Sequence, residues 1–165
     1  MELMTDAFGR VHERVHHALH GLSEEGLNYR PDPEANSVAW LIWHLSRVQD
    51  DHLAGAVGRP QVWIGDGWME RFGLPFGAEA TGYGHGPDEV AAVTAPGELL
   101  AAYHDAVHQM TEGVIAALDE AELARVVDRS WDPPVTMAVR LVSVIEDCLE
   151  HVGQAAYVRG LFERL

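Results

Sequence analysis

The stretch Leu141-Val142-Ser143-Val144-Ile145-Glu146-Asp147-Cys148-Leu149-Glu150-His151-Val152-Gly153-Gln154 decides how this chain folds. It sits in an uninterrupted helical pattern from about Thr136 to Leu165, roughly 45 Å long at the helical rise. Val142, Ile145, Leu149, Val152 and Ala156 recur at three- and four-residue steps, which predicts that this face is buried. At about 100° per residue, Arg140, Ser143, Asp147, His151 and Gln154 fall on one narrow polar line beside it. Asp147 and His151 are four apart, so both side chains reach one point. An acid and an imidazole so placed can hold a metal ion, or can form an ordinary exposed ion pair.

Three further amphipathic segments precede this one. Met4 to Leu22 reads as a first helix, with Phe8, Val11, Val15, Ala18, Leu19 and Leu22 inward. His12, His16 and His20 line a different face at four-residue spacing, with His17 alongside. Asn28 to Asn36, with Pro31 and Pro33, is a turn-rich connection. Ser37 then caps a second helix running from Val38 to about Val57. His44 stands in it among Trp40, Leu41, Trp43, Leu45 and Val48, as a hydrogen-bonded core residue or as a ligand. Asp51 lies two turns beyond it, able to orient a ligand's second nitrogen or to pair with Arg47. A third helix covers Gly97 to Leu118, with His104 and His108 beside its apolar stripe. Glu122 to Val126 reads as a single helical turn, and Thr136 as the cap of the last helix. Spacing alone leaves three candidate metal pairs tied.

Gly58 to Gly97 differs in kind: it is glycine-rich, aperiodic, and carries Trp63, Trp68, Phe72, Phe76 and Tyr83. So long a connection is expected to be an ordered cover or a lid, with Trp63, Trp68 or Tyr83 against any ligand beneath. Trp68 to Phe72 reads as a short helix. Four long amphipathic helices and one big loop predict a single all-α domain over residues 1–165, a four-helix bundle.

Composition narrows the function. Nearly half the residues are apolar, which places the chain among globular proteins. A formal charge of −15 argues against nucleic acid and against anionic membranes, since phosphates reward Lys and Arg. The lone Cys148 points into the apolar arc of its helix and forms no internal disulfide. With no leader pattern and no membrane-length apolar run, a soluble cytoplasmic protein is expected.

The segments Ser37-Val38-Ala39-Trp40-Leu41-Ile42-Trp43-His44-Leu45 and Asp147-Cys148-Leu149-Glu150-His151-Val152-Gly153-Gln154 together resemble the DinB/YfiT-like superfamily of bacterial metalloproteins. Similarity to its actinobacterial members extends through Gly67-Trp68, Thr81-Gly82-Tyr83-Gly84-His85 and Arg159-Gly160-Leu161, covering most of the chain. The resemblance implies an up-down-down-up bundle with a divalent metal, commonly zinc or nickel, between helices. The implied ligands are His44, Asp147 and His151, in preference to His12/His16/His20 or His104/His108. It also implies a low-molecular-weight thiol, mycothiol in the relatives of maleylpyruvate isomerase, as cosubstrate with an electrophile. The superfamily's name derives from DNA-damage induction and not from DNA binding. Two departures stand out: Asp147 replaces the glutamate of those isomerases, and their additional C-terminal domain is not expected after Leu165.

Three readings follow from the implied ligands. Three protein groups leave a coordination position open, as in catalytic sites, so a metal-dependent thiol transferase or isomerase leads. Arg140 then meets a carboxylate of substrate or thiol, or forms a surface ion pair. The alternatives are a metal-dependent hydrolase and a stress protein that binds a metal or small ligand without turnover. A homodimer is expected from the apolar helix faces left over.

Overall fold

The computed structural model describes residues 1–165. In chain order its elements are α1 (Glu2–Leu19), α2 (Glu24–Asn28), α3 (Val38–Val57), α4 (Val62–Gly65), α5 (Trp68–Phe72) and α6 (Pro87–Ala92). There follow α7 (Gly97–Ala116), α8 (Glu120–Ala124), β1 (Val126–Asp128), β2 (Val135–Thr136) and α9 (Met137–Phe162). The two expected caps form: Ser37 accepts from the Trp40 N–H, and Thr136 from the Val139 N–H. Gly58, at φ 67°, ends α3 in the left-handed conformation that glycine adopts without a steric cost.

The four long helices form a ring in the order α1, α7, α3, α9. Side-chain contacts give their directions. Arg159, late in α9, donates to the carbonyls of His17 and Ala18, late in α1, so these two run parallel. Ser46 meets His104 and Gln49 meets Thr111, so α3 and α7 run parallel to each other. His44 lies against His151 while His52 lies near Arg140, so α3 and α9 are antiparallel. This is the up-down-down-up bundle.

Helix α3 is buried on almost every side, and α9 buries one face against it. That face differs from the expected one. Leu141, Val144, Cys148, Val152 and Ala155 are buried, whereas Val142 and Leu149 are 57% and 42% exposed. Two overlapping apolar stripes satisfy the same spacing, and only the positions of α1 and α3 choose between them. Smaller differences arise at the ends. α1 stops at Leu19 ahead of Gly21 (φ 70°), and Ser23 caps the short, unanticipated α2. Beyond α8 the chain forms an antiparallel hairpin of β1 and β2, too short to leave a periodic signature.

The connection from α3 to α7 is ordered by α4, α5 and α6, with α5 covering the expected residues. Trp63, Trp68 and Phe72 gather round Tyr103, with ring centroids 5.2, 5.6 and 5.7 Å from it. Beneath them lies a buried polar knot. Asp50 accepts from the backbone N–H groups of Val62 and Trp63, both at 2.8 Å, and from the Tyr103 hydroxyl at 3.0 Å. Arg47 stands 3.6 Å from Asp50 and donates to Gln61 Oε1 and to the carbonyls of Ala78 and Ala80. Its guanidinium also lies over the Trp63 ring, at 4.9 Å. Of the two roles open to Asp51, pairing with Arg47 falls instead to Asp50, which faces inward, while Asp51 accepts from Gln61 Nε2.

Asp50→Ala strands a buried guanidinium, two amides and a hydroxyl at once. It should cost about 3–5 kcal/mol in urea unfolding. A loss below about 1 kcal/mol would show that this knot does not hold the loop.

Candidate metal centre

His44 projects from the middle of α3, and Asp147 and His151 from one line on α9. Antiparallel packing of the two helices brings one ligand atom from each residue within 4.8 Å of the others. The second nitrogen of each imidazole is occupied. His44 Nδ1 lies 2.6 Å from the Thr81 carbonyl oxygen, which can only accept, so Nδ1 carries the proton and Nε2 is a free lone pair. His151 Nδ1 lies 2.9 Å from Gln154 Oε1, with the same consequence for its Nε2. His151 Nε2 is 3.6 Å from Asp147 Oδ1, too long for a hydrogen bond. Asp147 Oδ2 is buried and has no hydrogen-bond partner.

The electrostatics match this geometry. Burial lowers the His44 pKa to about 4 against the opposing pull of the Thr81 carbonyl, with His151 and His85 adding to the shift. His44 is therefore neutral at pH 7, the state in which an imidazole can bind a metal. Burial raises the Asp147 pKa; His151 opposes this, and Glu150 and Glu146 reinforce it. Two imidazoles with their Nε2 atoms turned to one point and a carboxylate that lacks compensating charge suit a divalent cation. Trp40 closes one side, stacked on His44 at 4.6 Å, with its Nε1–H donating to His85 Nδ1 at 3.2 Å.

His44 and Asp147 open onto a groove of about 630 Å³ lined also by Asp51, His52, Thr81, Tyr83, Trp131 and Arg140. The long connection does supply a wall here, through Thr81 and the 92% exposed Tyr83. Trp63 and Trp68 do not line it: both are buried in the aromatic cluster round Tyr103. Arg140 reaches the groove and already donates to Asp128 on β1 at 2.8 Å, with Nη1 3.5 Å from His52 Nδ1. The orienting role considered for Asp51 falls to the Thr81 carbonyl. Spacing does not single out Trp40, His85 or Trp131, although Trp40 and His85 lie within segments that carry the resemblance. Cys148 is fully buried, and burial raises its thiol pKa well above the ordinary value, so it is core and not nucleophile.

A family model described as mycothiol S-transferase matches residues 3–163. The chain belongs to the mycothiol S-transferase family. This is a DinB-like family, in keeping with the all-α bundle. The crystal structure of a conserved protein from Enterococcus faecalis superposes with a TM-score of 0.89 at 35% identity, covering 96% of this chain and 94% of that one. Among curated proteins there is no match.

Within this mycothiol S-transferase family member, Gly82 is the residue that lets the loop approach His44. Its φ is 97°, and a Cβ there would stand 2.7 Å from His44 Nδ1 and 3.1 Å from both Trp40 and Trp43. Gly82→Ala should displace the Thr81 carbonyl and weaken zinc binding at this centre about 10–100-fold in a chelator-competition titration. Unchanged affinity would show that the carbonyl does not set the His44 ring for metal binding.

Proposed function

We propose that this chain is a metal-dependent S-transferase that joins a low-molecular-weight thiol, mycothiol, to an electrophilic carbon. The observation that carries this reading is the convergence of His44, Asp147 and His151 at the edge of an open groove, in a chain of the mycothiol S-transferase family. These three residues hold a divalent ion; two imidazoles and one carboxylate favour zinc or nickel over magnesium or calcium. A metal of this kind lowers the pKa of a coordinating thiol, supplying thiolate at neutral pH.

The chain's own groups do the rest. Thr81 and Gln154 keep the two Nε2 atoms aimed at one point. Tyr83 and Trp131 present exposed rings along the groove, suited to the sugar faces of a glycosidic thiol. Arg140, with donors beyond the one used on Asp128, meets a carboxylate of thiol or electrophile. In the transfer, the thiolate sulfur forms a bond to the electrophilic carbon, and the leaving group departs with its electron pair. In an isomerisation the same sulfur adds to the substrate and is later expelled. Val139, Val142, Leu149 and Tyr157 on the outer face of α9 support a homodimer in solution. No helix is long and apolar enough to cross a membrane, in keeping with a small-molecule enzyme of the cytoplasm.

A free thiol, with a pKa near 8.5, is only about 3% ionised at pH 7. With saturating thiol and chemistry limiting, the conjugation rate of the zinc-loaded protein should be flat from about pH 8.5 to about pH 7. In His151→Ala a slow background should remain that climbs with thiol ionisation. A wild-type profile climbing in parallel with that background would contradict thiol activation at this centre. Thiol-independent cleavage would point to a hydrolase, and tight binding without product to a non-catalytic protein.

A further inference from the structure

The seam between α1 and α7 holds a second convergence of metal-capable side chains, and it adjoins none of the groove residues. His12 and His16, one turn apart on α1, aim their Nε2 atoms at the same oxygen of Asp105 on α7, at 2.7 and 2.6 Å. One ligand atom from each of the three lies within 4.8 Å of the others. The sequence pattern had grouped these histidines only along their own helices, as His12/His16/His20 and His104/His108. The fold adds Asp105 and leaves His20 out.

More imidazole surrounds this point than one carboxylate can satisfy. The His108 ring stacks on His12 at 4.3 Å, and the His104 ring lies 5.8 Å from it. His104 is completely buried; its Nδ1 meets Ser46 Oγ at 3.0 Å, while its Nε2 has no partner. The buried Nδ1 of His108 has none either. An unpaired buried ring nitrogen is costly, and two beside a bis-histidine carboxylate cluster are out of keeping with a plain solvated face.

We infer that His12, His16 and Asp105 form a second site for a divalent transition-metal ion, bridging α1 to α7 across the bundle from the His44 centre. To bind, each imidazole gives up the Nε2 proton that now meets Asp105, the neutral ring keeping one proton on Nδ1, and the freed Nε2 lone pair turns to the ion, which takes the place of those two N–H donors. Two imidazoles and a carboxylate select zinc, nickel or copper(II) over magnesium and calcium. The side chains of His12, His16 and Asp105 are 30%, 43% and 50% exposed, so the ion enters directly from solvent and exchanges more readily than one at the buried His44. Its role is to clamp two helices, with no part in the groove chemistry.

Equilibrium dialysis of the full chain against buffered free zinc, with metal and protein quantified on the same sample, tests this. The wild type should hold two ions, and both His12→Ala/His16→Ala and His44→Ala/His151→Ala one each. The variant with all four changes should hold none. Asp105→Asn, which keeps the size of the side chain, should behave as His12→Ala/His16→Ala does. Zinc should still raise the melting temperature of His44→Ala/His151→Ala, and that rise should vanish in the fourfold variant. The inference is overturned if His12→Ala/His16→Ala binds as much zinc as the wild type. Failure of the His44 centre reads differently: wild-type zinc would then be unchanged in His44→Ala/His151→Ala.

Discussion

Arg47 is the residue on which the rest of the structure depends. Its guanidinium is fully buried in α3, the most enclosed helix of the bundle, and a buried charge is tolerated only when paired and hydrogen-bonded. The pairing comes from Asp50, one turn on. The hydrogen bonds come from Gln61 and from the Ala78 and Ala80 carbonyls, all in the connection between α3 and α7. Satisfying this cation therefore draws a long, aperiodic segment onto the helix that carries His44. Thr81, the next residue after Ala80, is delivered to His44 Nδ1, and Gly82 permits the approach. The same demand that stabilises the loop orients the His44 ring.

Features set by neighbouring residues were legible in the sequence, and features set by distant ones were not. The caps Ser37 and Thr136 and the short helix Trp68–Phe72 were readable because each rests on contacts a few residues apart. The helix directions came through the resemblance. The buried stripe of α9 was misread because Leu141/Val144/Cys148 and Val142/Ile145/Leu149 have equivalent spacing; the choice belongs to α1 and α3. Asp50 and Asp51 are likewise adjacent, and local pattern does not say which of them turns inward.

At the site, periodicity placed Asp147 and His151 together, and it took the resemblance to add His44 from another helix. What it could not supply were the Thr81 carbonyl, the Trp40 stack and the hairpin that carries Trp131, all products of tertiary packing. Asp105 was missed for the same reason: its partners His12 and His16 are about ninety residues away in the chain and face it only once α1 and α7 pack. Trp63 and Trp68 err in the other direction. Aromatics in a long loop can line a ligand or fill a core, and a buried Arg47 with an aromatic-lined Tyr103 claims them for the core.

The central claim is that a thiol reaches a metal ion held by His44, Asp147 and His151. The most direct measurement is the optical spectrum of cobalt(II)-loaded His12→Ala/His16→Ala protein, in which the α3–α9 centre is the one carrying the metal, before and after addition of mycothiol. The account predicts a new sulfur-to-cobalt charge-transfer band in the near ultraviolet, saturating with thiol and absent when His151→Ala is added. A spectrum that stays unchanged while the thiol binds would place the sulfur away from the metal and contradict the account.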